Sequence, residues 1–228
     1  LGVDLARLPL VTELQIVRPA SAPARLVVLV SGTGSNMAAI LHASHDPAYG
    51  ARIVAVGADR EGTRGIEIAA EAGIPTFVTK LGDFSSREEW NVAVRDEVEQ
   101  YKPDIVVLAG FLKLLSPGFL GAFPKRVINT HNALLPSFPG VHGPADAVAY
   151  GVKVSGATLF VVDPGVDTGA ILSQVTCQVL DTDTPDSLLE RIKVVERQQI
   201  VDCVGRMARE GWWTNGRRAG LGGPPSIG

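Results

Sequence analysis

Leu26-Val27-Val28-Leu29-Val30 runs straight into Ser31-Gly32-Thr33-Gly34-Ser35-Asn36 and then into Met37-Ala38-Ala39-Ile40-Leu41-His42-Ala43. The first run is continuously apolar and β-prone, the mark of a strand buried on both faces. The last run reads as a helix. A glycine-rich turn joins them, giving the strand–turn–helix unit of a parallel α/β sheet. Such a turn also carries chemistry. Unpaired backbone N–H groups at a helix start, with the helix dipole behind them, bind anions and phosphate especially. A dinucleotide fingerprint would need Gly where Met37 stands, and a nucleoside-triphosphate loop would need Gly-Lys-Ser/Thr. The turn therefore suits one phosphate monoester. The alternative is a tight structural turn with Ser35 or Asn36 capping the helix.

The same grammar continues on the C-terminal side. Residues 52–57 read as a strand, 65–72 as a helix ended by Gly73, and 75–79 as a third strand. A capping-box pattern, Ser85 before Glu88 or Ser86 before Glu89, opens a helix running to about Tyr101. Residues 104–110 are a fourth apolar strand, followed by the apolar loop Phe111-Leu112-Lys113-Leu114-Leu115-Ser116-Pro117. That loop is either core or the wall of a pocket for a flat ring. A short helix at 117–122 leads to Arg126-Val127-Ile128-Asn129-Thr130-His131, apolar at its start and polar at its end.

After Gly143 the pattern changes. A short helix is expected at 145–150, then strands at 156–162 and 170–179. The loop between those strands, 163–169, is too short for a crossover helix, so the pair should be antiparallel. Asp181 or Thr182 opens a long helix over 185–209, in which Glu190, Arg191, Glu196 and Arg197 read as a solvated face. The expected fold is a doubly wound, mostly parallel Rossmann-like sheet with an antiparallel C-terminal strand pair and a long C-terminal helix. Residues 1–24 read as a tail, 25–210 as one domain, and 211–228 as a short ribbon and tail.

Composition narrows the function. A net charge of −3 and a pI near 5.8 argue against a nucleic-acid surface. Cys177 and Cys203 are too few for a disulfide framework or a cysteine zinc site, and the four His show no HExxH pattern, so no metal is expected. No apolar run is long enough to span a bilayer, and no signal-peptide pattern opens the chain. A cytoplasmic enzyme is the expectation. A homodimer is neither indicated nor excluded.

Asn129 and His131 lie two residues apart on an extended chain, so their side chains point the same way. An amide donor beside an imidazole at a strand end can bind a developing oxyanion and move a proton. The plainer reading is an Asn and a His that satisfy a turn. Asp167, before Thr168-Gly169, is equally readable as a turn Asp.

Together these pieces resemble the phosphoribosylglycinamide formyltransferases of purine synthesis. The match lies in Ser31 to Asn36, in Ala109 to Pro117, in Asn129-Thr130-His131, in Leu134-Leu135-Pro136-Ser137-Phe138-Pro139-Gly140 and in Asp167-Thr168-Gly169, in that order over residues 26–205. The resemblance implies formyl transfer from 10-formyltetrahydrofolate to the amine of glycinamide ribonucleotide. By it, Asn129 and the His131 cation would bind the oxygen that becomes negative. Asp167 would hold His131 charged and aimed and, through a water, would take the proton lost by the amine. Gly34, Ser35 and Asn36 would hold the phosphate, and Glu196 the ribose or amine. Arg87, Leu112, Lys113, Leu114, Leu115, Asp163, Pro164, Gly165, Val166 and Asp167 would form the folate pocket. For Arg87 a surface position at a helix start is the competing reading.

Three residues depart from the family pattern: Asn132 stands where Pro is usual, Lys113 where Arg is common, and Ala145 where many relatives carry a basic residue. None is a reacting group. Two rival functions remain, a formyltetrahydrofolate hydrolase with water as acceptor and a non-catalytic nucleotide-binding module.

Overall fold

A computed structural model describes residues 13–225. Ten strands form one sheet in the order β1-β9-β10-β8-β7-β6-β5-β2-β3-β4. The parallel part comprises β2 (Ala24–Val30), β3 (Ala51–Ala58), β4 (Thr76–Val78), β5 (Ile105–Leu108) and β6 (Val127–His131). Chain order runs outward from β2 to β3 and β4, then jumps across β2 to β5 and β6. The strand order therefore reverses between β2 and β5, the place where open α/β sheets build ligand sites.

The alternation of β2 explains the layers. Leu26, Val28 and Val30 pack on one face with Met37 and Ile40 of α1 (Ser35–Ala43), Ala69 of α2 (Arg64–Glu71) and Ile200, Val204 and Met207 of α6 (Pro185–Glu210). Val27 and Leu29 pack on the other with Trp90, Val94 and Val98 of α3 (Arg87–Glu99) and Phe119 and Phe123 near α4 (Pro117–Ala122). A strand covered on both sides needs the unbroken apolar run seen in the sequence. Burial of Trp90 leaves its ring N–H paired, donating to the Thr79 carbonyl at 2.8 Å.

Beyond β6 the sheet turns antiparallel through β7 (Val154–Val161) and β8 (Ala170–Gln178), with α5 (Gly143–Tyr150) between β6 and β7. The expected ribbon is a hairpin of β9 (Trp212–Asn215) and β10 (Arg218–Leu221). Its β10 lies parallel to β8, and fully buried Trp212 donates to the Lys125 carbonyl at 2.8 Å. Among the described residues no helix is long and apolar enough to cross a membrane.

Several local expectations change. Of the expected tail, residues 1–12 lie outside the described residues, whereas Gln15–Val17 form β1, antiparallel to β9. The long helix is capped by Thr184, with a reciprocal bond from Ser187, instead of by Asp181 or Thr182. Neither Ser35 nor Asn36 caps α1; its N-cap is Gly34. The capping box at α3 is split: Ser86 accepts from Glu89 N–H, while the Glu89 carboxylate accepts from Ser85. The solvated-face reading of α6 fails for Glu196, which is 5% exposed. It fails for Arg191 too, which grips the buried Asp183 carboxylate with two bonds of 2.7 Å.

Candidate active site

Gly34 brings the phosphate loop to its helix. Its φ is +68°, and a Cβ there would lie 2.5 Å from the Gly65 Cα, so two glycines meet where no side chain fits. Gly65 N–H also donates to the Gly32 carbonyl at 3.2 Å, seating the loop on α2. No side chain caps α1 and no acidic residue occupies its first turn, which leaves N–H groups for an anion. The buried Asn36 Oδ1 has no partner among the described residues.

The loop borders a cavity of about 500 Å³ at the switch point. Of the residues expected to form the site, Gly34, Ser35, Asn36, Leu112, Lys113, Leu114, Leu115, Asn129, His131, Asp163 to Asp167 and Glu196 all line it. Arg87 is the exception. It stands behind the wall and donates to the Leu114 carbonyl at 3.0 Å, tying α3 to the loop after β5. Ala145 does not line the cavity either, whereas Asn132 does and keeps its Oδ1 buried and unpaired.

Asn129 and His131 share a face of β6, as the period of two requires. The Asn129 side chain has no hydrogen-bond partner among the described residues, so its amide is free for a ligand. His131 is 8% exposed and tightly held. Its Nε2 lies 2.8 Å from the Phe138 carbonyl oxygen. A carbonyl only accepts, so Nε2 carries the hydrogen and Nδ1 is the working nitrogen. That Nδ1 lies 3.6 Å from Asp167 Oδ2. The same Oδ2 accepts from Gly140 N–H at 2.7 Å.

Asp167 arrives by a route the sequence does not reveal. Because β7 runs antiparallel to β6, its carboxyl end is level with Ile128, not with His131. Residues 162–169 must fold back over the sheet face to bring Asp167 to the imidazole. Asp163 braces that loop, accepting from Gly165 N–H at 3.1 Å and from the Thr168 hydroxyl at 2.6 Å. The two groups that hold His131 are both in the left-handed region: Phe138 has φ +54° and Asp167 φ +54°. For a bulky Phe this is an outlier, and strain of that kind persists only where the surroundings impose it.

Sequence reasoning missed several supports. Fully buried Thr158, paired in register with His131, donates to the Ala133 carbonyl at 2.7 Å and accepts from Leu135 N–H at 3.0 Å. Gln174 bonds both the Leu135 carbonyl and Thr158. These fix the turn that leaves His131. Lys193, one turn before Glu196 on α6, lines the cavity, with its ammonium paired to the Glu190 carboxylate at 2.6 Å. Its only sequence signal is the i, i+3 spacing from Glu196.

Comparisons with known proteins identify the family. A formyl transferase family model matches residues 24–204. A phosphoribosylglycinamide formyltransferase of Mycobacterium tuberculosis is 53% identical over 210 residues, covering 92% of this chain and 97% of that protein. The chain belongs to the phosphoribosylglycinamide formyltransferases. Solved structures of this family share its fold. The glycinamide ribonucleotide transformylase 1 of Symbiobacterium toebii superposes with a TM-score of 0.85 at 34% identity, covering 88% of this chain and 94% of that one. The phosphoribosylglycinamide formyltransferase of Brucella melitensis gives 0.78 at 38% identity, covering 82% and 96%.

Proposed function

We propose that this protein transfers the formyl group of 10-formyltetrahydrofolate to the amine of glycinamide ribonucleotide, in de novo purine synthesis. One observation carries the reading: a free amide, an imidazole and a carboxylate border the same cavity as an uncapped helix start suited to phosphate.

The residues fit both substrates. Gly34, Ser35 and Asn36 hold the phosphate through α1, Lys193 adds a cation, and Glu196 accepts from the ribose or amine. Leu112, Leu114, Leu115 and Val166 wall the pterin, with Lys113 and Asp163 to Gly165 completing that side. Arg87 shapes this wall through the Leu114 carbonyl. The folate supplies an electrophilic formyl carbon. Asn129 donates its amide hydrogen to the oxygen on which negative charge grows, an interaction strongest in the transition state. The charged His131 ring directs its Nδ1 hydrogen to the same oxygen, while the Phe138 carbonyl keeps Nε2 from turning away. Asp167 faces the ring and, through a water, receives the proton that the amine loses; the same water returns it to the folate nitrogen as the bond from that nitrogen to the formyl carbon breaks and tetrahydrofolate leaves. Positioning supplies the rest. No step is assigned to a metal, and dialysis against EDTA should leave turnover unchanged. With Cys177 and Cys203 unpaired, the reducing cytoplasm is the proposed compartment.

The test is spectrophotometric release of tetrahydrofolate with and without glycinamide ribonucleotide. Release that requires the ribonucleotide supports transfer. Release without it would make the protein a hydrolase, and no release under either condition a binding module.

A further inference from the structure

The loops that carry the two substrates leave neighbouring strands, yet the sheet does not fix their relative position. The β2–β5 ladder pairs Leu29 with Leu108, and Ala109 N–H makes a last bond to the Leu29 carbonyl at 2.9 Å. Beyond that bond the register depends on side chains. Leu112 N–H donates to the Ser31 hydroxyl at 3.0 Å, joining the folate loop to the phosphate loop.

Behind this contact stands Asp59, just past the end of β3. Its side chain is 1% exposed, and it is absent from the cavity wall. Its Oδ2 lies 3.6 Å from Lys113 Nζ, on the folate loop. The Ser31 hydroxyl, on the phosphate loop, is among the groups that favour the charged form of the same carboxyl. Arg60 closes the outer side with two contacts of 3.2 Å. Burial works against the charge of Asp59, but the Arg60 guanidinium, the Ser31 hydroxyl and the Lys113 ammonium outweigh it and hold the carboxyl below its usual range. A fixed negative charge therefore sits between two loops that must cooperate.

We propose that Asp59 is a positioning residue for the transfer: through Ser31 and Lys113 it holds the phosphate loop and the folate loop in the register that brings amine and formyl carbon together. This rests on the formyl-transfer reading. Each substrate is gripped by its own loop, so a shift between loops leaves each binding step intact and separates the reacting atoms. A misplacement of about 1 Å can cost roughly 100-fold in rate.

The signature is therefore a split between kcat and binding. Asp59→Asn, nearly the same shape without the charge, should lower kcat by about 10- to 100-fold. Dissociation constants of glycinamide ribonucleotide alone and of an unreactive folate analogue alone should stay within about twofold. Lys113→Met cuts the folate-side arm at a side chain 31% exposed, so folding is not at stake, and because Lys113 also borders the folate pocket its kcat is read at saturating folate. Its kcat loss should not add to that of Asp59→Asn in the double variant, since both break one tether. An unchanged kcat in Asp59→Asn, additive losses, or an analogue affinity that falls as far as kcat would each overturn the proposal. Failure of the wild-type protein to release tetrahydrofolate with the ribonucleotide would instead refute the transfer reading itself.

Discussion

Gly34→Ala probes the phosphate loop at its tightest point. The native φ of +68° costs an L-residue about 1–2 kcal/mol. The new Cβ would lie 2.5 Å from Gly65 Cα and 3.2 Å from Gly65 N, both backbone atoms at the start of α2. Backbone cannot swing aside as a side-chain tip can, so overpacking adds roughly 1–3 kcal/mol. The sum is about 2–5 kcal/mol, and a chain of this size loses about 2–4 °C per kcal/mol, so Tm should fall by roughly 4–20 °C. Gly73→Ala separates the two causes. Its φ is +70° with nothing within 4 Å of a Cβ, so it carries the backbone cost without the clash. Should the loop escape by opening, the N–H groups diverge and the ribonucleotide KM should rise about tenfold or more, with a smaller drop in Tm. Thermal unfolding of both variants and steady-state kinetics of Gly34→Ala decide the matter. A Gly34→Ala protein no less stable than Gly73→Ala, with an unchanged ribonucleotide KM, would refute the close-packed loop.

Other perturbations have equally definite outcomes. His131→Ala should cut kcat by about 100- to 10,000-fold while the circular dichroism spectrum and Tm stay close to wild type; near-normal turnover would remove His131 from the chemistry. Lys193→Met should raise the ribonucleotide KM by about tenfold and leave the folate KM unchanged, and an equal rise in both would mean that the cavity as a whole has deformed. The Asp183 carboxyl is held well below its usual range by the Arg191 guanidinium and then by Leu180 N–H. A depressed folded value gives stability that is present above the unfolded value near 4 and is lost as pH falls through the folded one. In urea titrations the stability gap between wild type and Arg191→Leu should therefore narrow between about pH 4 and pH 2, and a constant gap would contradict that assignment.

The sheet was legible because its central strands are covered on both faces. Burial of that kind forces unbroken apolar runs such as Leu26 to Val30, and those runs survive in a single sequence. The strand β1 has no such mark. It is three residues long, largely exposed, and exists through pairing with β9 at the far end of the chain. Glu196 fails for a related reason. Charges at helical spacing look like a wet surface, and only the packing of α6 across α1, β7 and β8 buries that side. The resemblance flagged Glu196; its own neighbours in sequence did not.

The reacting groups and their controls differ in how they leave traces. Asn129 and His131 follow from strand periodicity, because their side chains must share a face. What aims His131 is a backbone carbonyl, that of Phe138, and a peptide group has no sequence signature. Phe138 offers it only by entering the left-handed region, which a bulky aromatic does not advertise. Asp167 likewise reads as an ordinary turn residue until the loop from β7 is seen to double back. The chemistry of this site is thus written in side chains, and its geometry in the surrounding backbone. That division explains why a variant such as Phe138→Gly, which keeps the carbonyl but loosens the chain and loses the ring packed on Tyr150, should weaken turnover as well as folding. Glycine adopts the left-handed region freely, so the strain at residue 138 disappears while the hold on Nε2 becomes one of many accessible orientations. A kcat equal to wild type in that variant would show that the imidazole is aimed by Asp167 alone.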